Sequence, residues 1–165
     1  MKKNLFEQEQ GKQEDILQNI ETSRELVKKT NQALNSEIEK LLSLHLRNLF
    51  SQKPEIKRYR WRQYRNYWND GDTCYFRIRR EGFELKDQEK LFPKFGEDWI
   101  YMHDYEFPDG FKENPEYQEL IKAEKNLSSF LHQYDDYLEN IYGNDSQITV
   151  YPDGRLEVEE YSDHD

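Results

Sequence analysis

The stretch Ile56–Arg80, IKRYRWRQYRNYWNDGDTCYFRIRR, constrains this chain more than any other, because its side chains alternate between apolar and basic on both sides of Asn69-Asp70-Gly71-Asp72. A period of two sends successive side chains to opposite faces of a strand, and a short segment rich in Asn, Asp and Gly turns one strand back onto the next. The alternation predicts strands over Ile56–Trp68 and Thr73–Arg80 joined as a hairpin. Tyr59, Trp61, Cys74, Phe76 and Ile78 then fall on apolar faces, and Arg58, Arg60, Arg62, Arg77 and Arg79 on the opposite ones. Guanidinium groups facing one another across strands are destabilising unless an anion lies among them. That anion has an internal source in Glu157 and Glu159, which share a face of the last strand, or in the acidic second helix. It has an external source in the phosphates of a nucleotide or nucleic acid, with Tyr and Trp rings for stacking, or in an acidic protein partner. Because opposite charges within one chain neutralise each other readily, the internal source is the expected one.

The charge distribution sharpens that choice. Ser51–Arg80 holds nine Lys and Arg against Glu55, Asp70 and Asp72, whereas Glu81–Asp165 holds seven basic and 23 acidic residues. A net charge of −10 repels nucleic acid and anionic membrane globally and leaves only the local basic patch to attract them. Hydrophobic residues are 35% of the 165, low for a globular chain, but aromatics reach 15%, which disordered chains lack. The expectation is a single domain over 1–165 with a small aromatic core, residues 1–35 forming a protruding or loosely attached helix. Cys74 is the one cysteine, so no internal disulfide forms, and no long apolar run marks a membrane span or signal peptide. These features point to the cytoplasm.

From about Gln13 to Phe50 the apolar pattern is helical, with Ile20, Val27, Leu34 and Leu41 seven residues apart. The intervening seam positions Ser23, Thr30 and Glu37 are polar, which predicts weak self-association through residues 16–44 rather than a tight coiled coil. Pro54 ends the helix. Glu81–Gly110 reads as irregular, with a short strand within Asp98–His103. Asn114-Pro115 opens a second long helix that runs to Gly143, and Ile148–Tyr151 and Leu156–Tyr161 flank the turn Pro152-Asp153-Gly154-Arg155. The fold class is α+β: a long N-terminal helix, two β-hairpins forming one antiparallel sheet, and the second long helix packed on that sheet.

No signature of a common enzyme class is present. Glycine-rich phosphate loops, G-x-S-x-G, H-E-x-x-H and paired cysteines are missing. Asn69–Asp72 is accounted for as a turn and Asp163-His164-Asp165 lies at the end of the chain, so neither is assigned a metal. His45, His103 and His132 have no spacing that pairs them with a nucleophile or a ligand, and Cys74 reads as a packed core thiol. No catalytic residue, metal or cofactor is assigned.

The motif Trp61-x-Gln63-Tyr64-x-x-Tyr67-x-Asn69-Asp70-Gly71-Asp72-x-Cys74-x-Phe76, preceded by a leucine-rich helix, resembles a pattern in a family of short uncharacterised proteins from bacterial and bacteriophage genomes. Their closing hairpin and aromatic-acidic tail are similar to Gly154–Asp165. The usual pattern has Thr-Pro and Phe where this chain has Arg65, Asn66 and Trp68, so the basic character is its own. The resemblance implies a phage or mobile-element origin and assigns no activity. The functional expectation is a small acidic, non-enzymatic protein that binds a host protein as an accessory or anti-defence factor. The alternative is a nucleotide or nucleic-acid binder using Arg58, Arg60, Arg62, Arg77 and Arg79.

Overall fold

The structure, a computed structural model, describes residues 5–65, 71, 73–102 and 107–161, with side chains from residue 11 onward. The turn residues Asn69, Asp70 and Asp72, His103 and the Asp163-His164-Asp165 trio lie outside the described residues. The chain divides into two compact units, Met1–Glu37 and Ile38–Asp165. Helix α1 is Leu5–Gln52. Within the first unit, every side chain from residue 11 to 34 is exposed, including the heptad-spaced Ile20, Val27 and Leu34. Thr22 and Thr30 bond their hydroxyls back to the carbonyls four residues earlier, at 2.9 Å each, which satisfies a polar group without a neighbour.

The second unit is a five-stranded antiparallel sheet with helices on one face. Its strands are β1 (Ile56–Arg65), β2 (Phe76–Leu85), β3 (Ile100–Tyr101), β4 (Ser146–Val150) and β5 (Leu156–Glu160), in the order β3-β2-β1-β4-β5. The helices are α2 (Gln88–Leu91), α3 (Pro115–Gln133) and α4 (Asp135–Tyr142). The expected α+β architecture is therefore present. Both predicted hairpins contribute to one sheet, with β1 of the first pairing β4 of the second, Trp61 opposite Ile148. The core lies between sheet and helices: Ile56, Tyr59 and Trp61 of β1, Ile78 and Phe83 of β2, and Ile148 of β4 meet Leu42 and Leu46 of α1 and Leu120, Leu127 and Leu131 of α3. Burying rings of this size accounts for how so few apolar residues hold the unit together.

Three expectations need correction. Cys74 precedes β2 instead of lying on its apolar face, and it is only half-buried. The second helix is broken: Tyr134 leaves the helical conformation (φ −118°, ψ 25°) and α4 restarts at Asp135. At its start, α3 follows the sequence closely, with the Asn114 side chain accepting from the Glu116 amide at 3.0 Å and Pro115 in the first turn. The largest difference is that β2 continues to Leu85, through residues that had read as irregular. Arg60 faces Gly82 and Arg62 faces Arg79, so Arg80 and Glu81 together oppose Trp61 in a β-bulge. Arg80 takes the left-handed conformation, φ 54°. The extra residue shifts the phase of the strand, turning Glu81, Phe83 and Leu85 inward after Phe76 and Ile78 and breaking the period of two that signalled the strand.

Candidate functional site

The outer face of the sheet carries the arginines that the alternation picked out. Arg58, Arg60 and Arg62 stand two apart on β1 and are half-buried, and Arg77 and Arg79 on β2 are exposed. The ladder brings Arg62 directly opposite Arg79. The β1 guanidinium groups are held in place by rings. Trp99 and Tyr101 flank the buried Ile100 and so project to the outer face, where the Arg60 guanidinium lies 3.9 Å from the Trp99 ring centre and 5.4 Å from that of Tyr101. Arg58 lies 4.6 Å from Trp99, and Arg62 lies 4.3 Å from Tyr161. Gly82 makes this assembly possible, because a Cβ there would sit 2.7 Å from the Ile100 carbonyl oxygen and 2.9 Å from the Tyr101 ring. Arg60 also donates to the Tyr101 hydroxyl. Burial, with the charges of Arg62 and Arg58 adding to it and the Tyr101 hydrogen bond opposing, pushes the Arg60 guanidinium below the usual arginine range.

The expected internal neutralisation takes a different form. Glu157 accepts from the Tyr151 hydroxyl and from Arg155, both at 2.8 Å, and Glu159 accepts from Gln147 at 3.0 Å. Both lie on β5, separated from the arginines by β4, and short carboxylate side chains bond their immediate cross-strand and turn neighbours. Glu84 is the carboxylate that serves the row, bonding Arg58 and Lys57. The acidic second helix contributes one pair, Glu139 of α4 with Arg65 through two bonds of 2.8 and 2.7 Å. Arg62 donates to the Gln147 amide at 2.9 Å. Among the described residues, Arg60, Arg62, Arg77 and Arg79 bond no carboxylate.

On the opposite face of the same strands lies a second polar group, buried in the core. The bulge turns Glu81 wholly inside, where its Oε1 accepts from the Ser128 hydroxyl at 3.2 Å and meets His132 Nε2 at 2.5 Å. Glu124, Ser128 and His132 are spaced by four along α3 and so line one side of the helix. Glu124 is 1% exposed, its Oε1 accepts from the Tyr59 hydroxyl at 2.9 Å, and its Oε2 is buried with no hydrogen-bond partner among the described residues. Burial, reinforced by the Glu81 charge and opposed by the Tyr59 hydroxyl, pushes the Glu124 carboxyl up to about 7. The same burial, with the two carboxylates beside it, raises Tyr59 well above its ordinary range. The Glu81 hydrogen bond raises His132, against its partial burial.

No protein family, curated protein or solved structure matches this chain. Alternation in the sequence marks the arginine row, whereas no spacing in the sequence links His132 to Glu81, which the fold brings together with it. One signal was legible. Glu124, Ser128 and His132 recur every four residues along the face that also carries Leu120, Leu127 and Leu131, an unusual density of polar groups on a core-facing stripe. Glu81 carried none, since its burial depends on the bulge.

Proposed function

We propose that this protein is a small interaction module that engages an acidic surface of another protein through the outer face of its sheet. The observation that carries the reading is the row Arg60, Arg62, Arg77 and Arg79, which bonds no carboxylate among the described residues although the chain has ten acidic residues more than basic ones. Guanidinium groups already stacked on Trp99, Tyr101 and Tyr161 lose little side-chain freedom on binding, which favours affinity. Two features support a protein partner over a single-stranded nucleic acid. The Trp99 ring is 7% exposed and covered by arginines, so it offers no face to a base. Glu157 and Glu159 face the same side across β4, which repels a continuous phosphate backbone but suits a partner surface of mixed charge. The motif's likeness to bacteriophage proteins supports placing that partner in a host cell, in an accessory or anti-defence role.

Fluorescence anisotropy with labelled oligoglutamate and labelled oligothymidylate over a salt series tests this. The expected result is salt-sensitive binding of oligoglutamate that is lost in the Arg77→Glu, Arg79→Glu double variant while its melting temperature is retained. Tighter binding of oligothymidylate, lost in the same variant, would replace the protein partner with nucleic acid. Binding of neither would remove the arginine face as a docking surface.

A further inference from the structure

At the edge away from β3 the sheet ends in β5, which pairs only with β4 among the described residues. The Tyr151 amide donates to the Arg155 carbonyl and the Tyr161 amide to that of Asp145, so the hydrogen-bonded pairs of this ladder fall on every second residue counted from there. Glu157 and Glu159 therefore turn their backbone groups toward β4, whereas Leu156, Val158 and Glu160 turn theirs to the open edge. Side chains alternate in step. Leu156 and Val158 stand opposite the buried Val150 and Ile148 and so face the helix side, yet both are exposed. Glu157 and Glu159 lie on the outer face. Beside Leu156, between the last hairpin and the end of α1, there is a cleft of about 470 Å³ whose apolar lining includes Leu42, Leu46, Phe50 and Val150.

An exposed edge is commonly blunted by proline, lysine or a bulge. β5 carries none of these: its sequence is Leu-Glu-Val-Glu-Glu and its register with β4 is unbroken. Its glutamates select what can pair with it. A second copy of β5 laid antiparallel would set Glu157 and Glu159 against their own counterparts, and like charges across neighbouring strands are destabilising. A strand with Lys or Arg on its outer side places cations there instead, one strand spacing of about 4.8 Å away. Both carboxylates keep acceptor capacity beyond the bonds they make to Tyr151, Arg155 and Gln147. On the inner side, apolar side chains would cover Leu156 and Val158 and reach the neighbouring cleft. We infer that β5 receives an extended segment of a protein partner as an added antiparallel strand, one in which basic residues alternate with apolar ones. Main-chain hydrogen bonds to Leu156, Val158 and Glu160 supply affinity, and the alternating side chains supply specificity. β4 separates this edge from the arginine row, and the inference does not depend on docking there.

The test uses the full chain and short labelled peptides: alternating lysine and valine, the same composition in blocks, and alternating glutamate and valine. Fluorescence anisotropy is expected to show the alternating basic peptide binding roughly tenfold more tightly than the block peptide. Residues directly opposite one another share a face, so the peptide's valines exchange hydrogen bonds with Leu156 and Val158. N-methylation of the valines should abolish binding, whereas N-methylation of the lysines should leave it in place. Amide exchange followed by NMR should slow at Leu156, Val158 and Glu160 on binding, and in Glu159→Lys the preference should move toward the acidic peptide. Equal binding of the block peptide, or of the peptide methylated on valine, would reduce the interaction to charge attraction and overturn strand addition. Binding without slowed exchange at those three amides would place the peptide elsewhere. An acidic peptide bound as tightly by the unmodified protein would overturn the basic partner. Slowed exchange at the same amides that sets in with rising protein concentration and no peptide would give the edge to a second copy. Binding of none of the peptides removes the edge as a docking site.

Discussion

Replacing Glu124 with Gln tests the buried polar cluster through the pH dependence of stability. In the folded protein the Glu124 carboxyl titrates at about 7, compared with an ordinary value of 4.5, because burial disfavours its charged form. The folded state therefore holds a proton that the unfolded chain has released anywhere between those two values. A group whose pKa is raised by folding contributes stability that is fully present below the unfolded value and lost as pH rises through the folded one. A separation of this size corresponds to about 3 kcal/mol, a large fraction of the stability of a domain this small. Glu124→Gln keeps an amide oxygen for the Tyr59 hydroxyl and removes the titration. Urea unfolding followed by tryptophan fluorescence, repeated from mildly acidic to mildly alkaline pH, gives the difference between wild type and variant. Wild type is expected to lose about 3 kcal/mol relative to the variant between pH 4.5 and 7, with no further change above that range. His132, also raised, titrates in the same direction in both proteins and largely cancels in the difference. A difference that is independent of pH, or that grows in favour of wild type as pH rises, would refute the reasoning and place the Glu124 carboxyl in contact with solvent or a cation.

Trp61→Ala and Phe76→Ala each empty a buried site in the sheet and are expected to cost about 3–5 kcal/mol, read as a large drop in melting temperature. Gly82→Ala would drive a methyl group to within 2.7 Å of the Ile100 carbonyl oxygen, so β3 must move; the expected loss is about 1–3 kcal/mol, with a change in the fluorescence of Trp99 as its arginine contacts are disturbed. The exposed Ile20, Val27 and Leu34, seven residues apart, predict weak self-association, so the sedimentation-average mass should rise with concentration and Val27→Glu should abolish the rise. A mass that stays monomeric at all concentrations would exclude it.

What the chain declares by itself is whatever follows from short-range periodicity and backbone chemistry. Alternation located β1 and the first half of β2, Asn114-Pro115 located the start of α3, Pro54 the end of α1, and Pro152-Asp153-Gly154 the last hairpin, because each depends on a residue and its near neighbours. The arginine row was visible for the same reason: residues two apart on a strand must share a face. Which anion serves that row depended on register. Pairing of β1 with β2 put Glu84 beside Arg58, while β4, lying between β1 and β5, kept Glu157 and Glu159 away. The bulge at Arg80 and Glu81 could not be read from composition, since it exists to satisfy two packing demands at once: Phe76 and Ile78 inward before it, and Phe83 and Leu85 inward after it. That change of phase draws Glu81 into the core, against the ordinary preference of a carboxylate for water, and only the approach of α3 supplies the Ser128 and His132 side chains that make its burial tolerable.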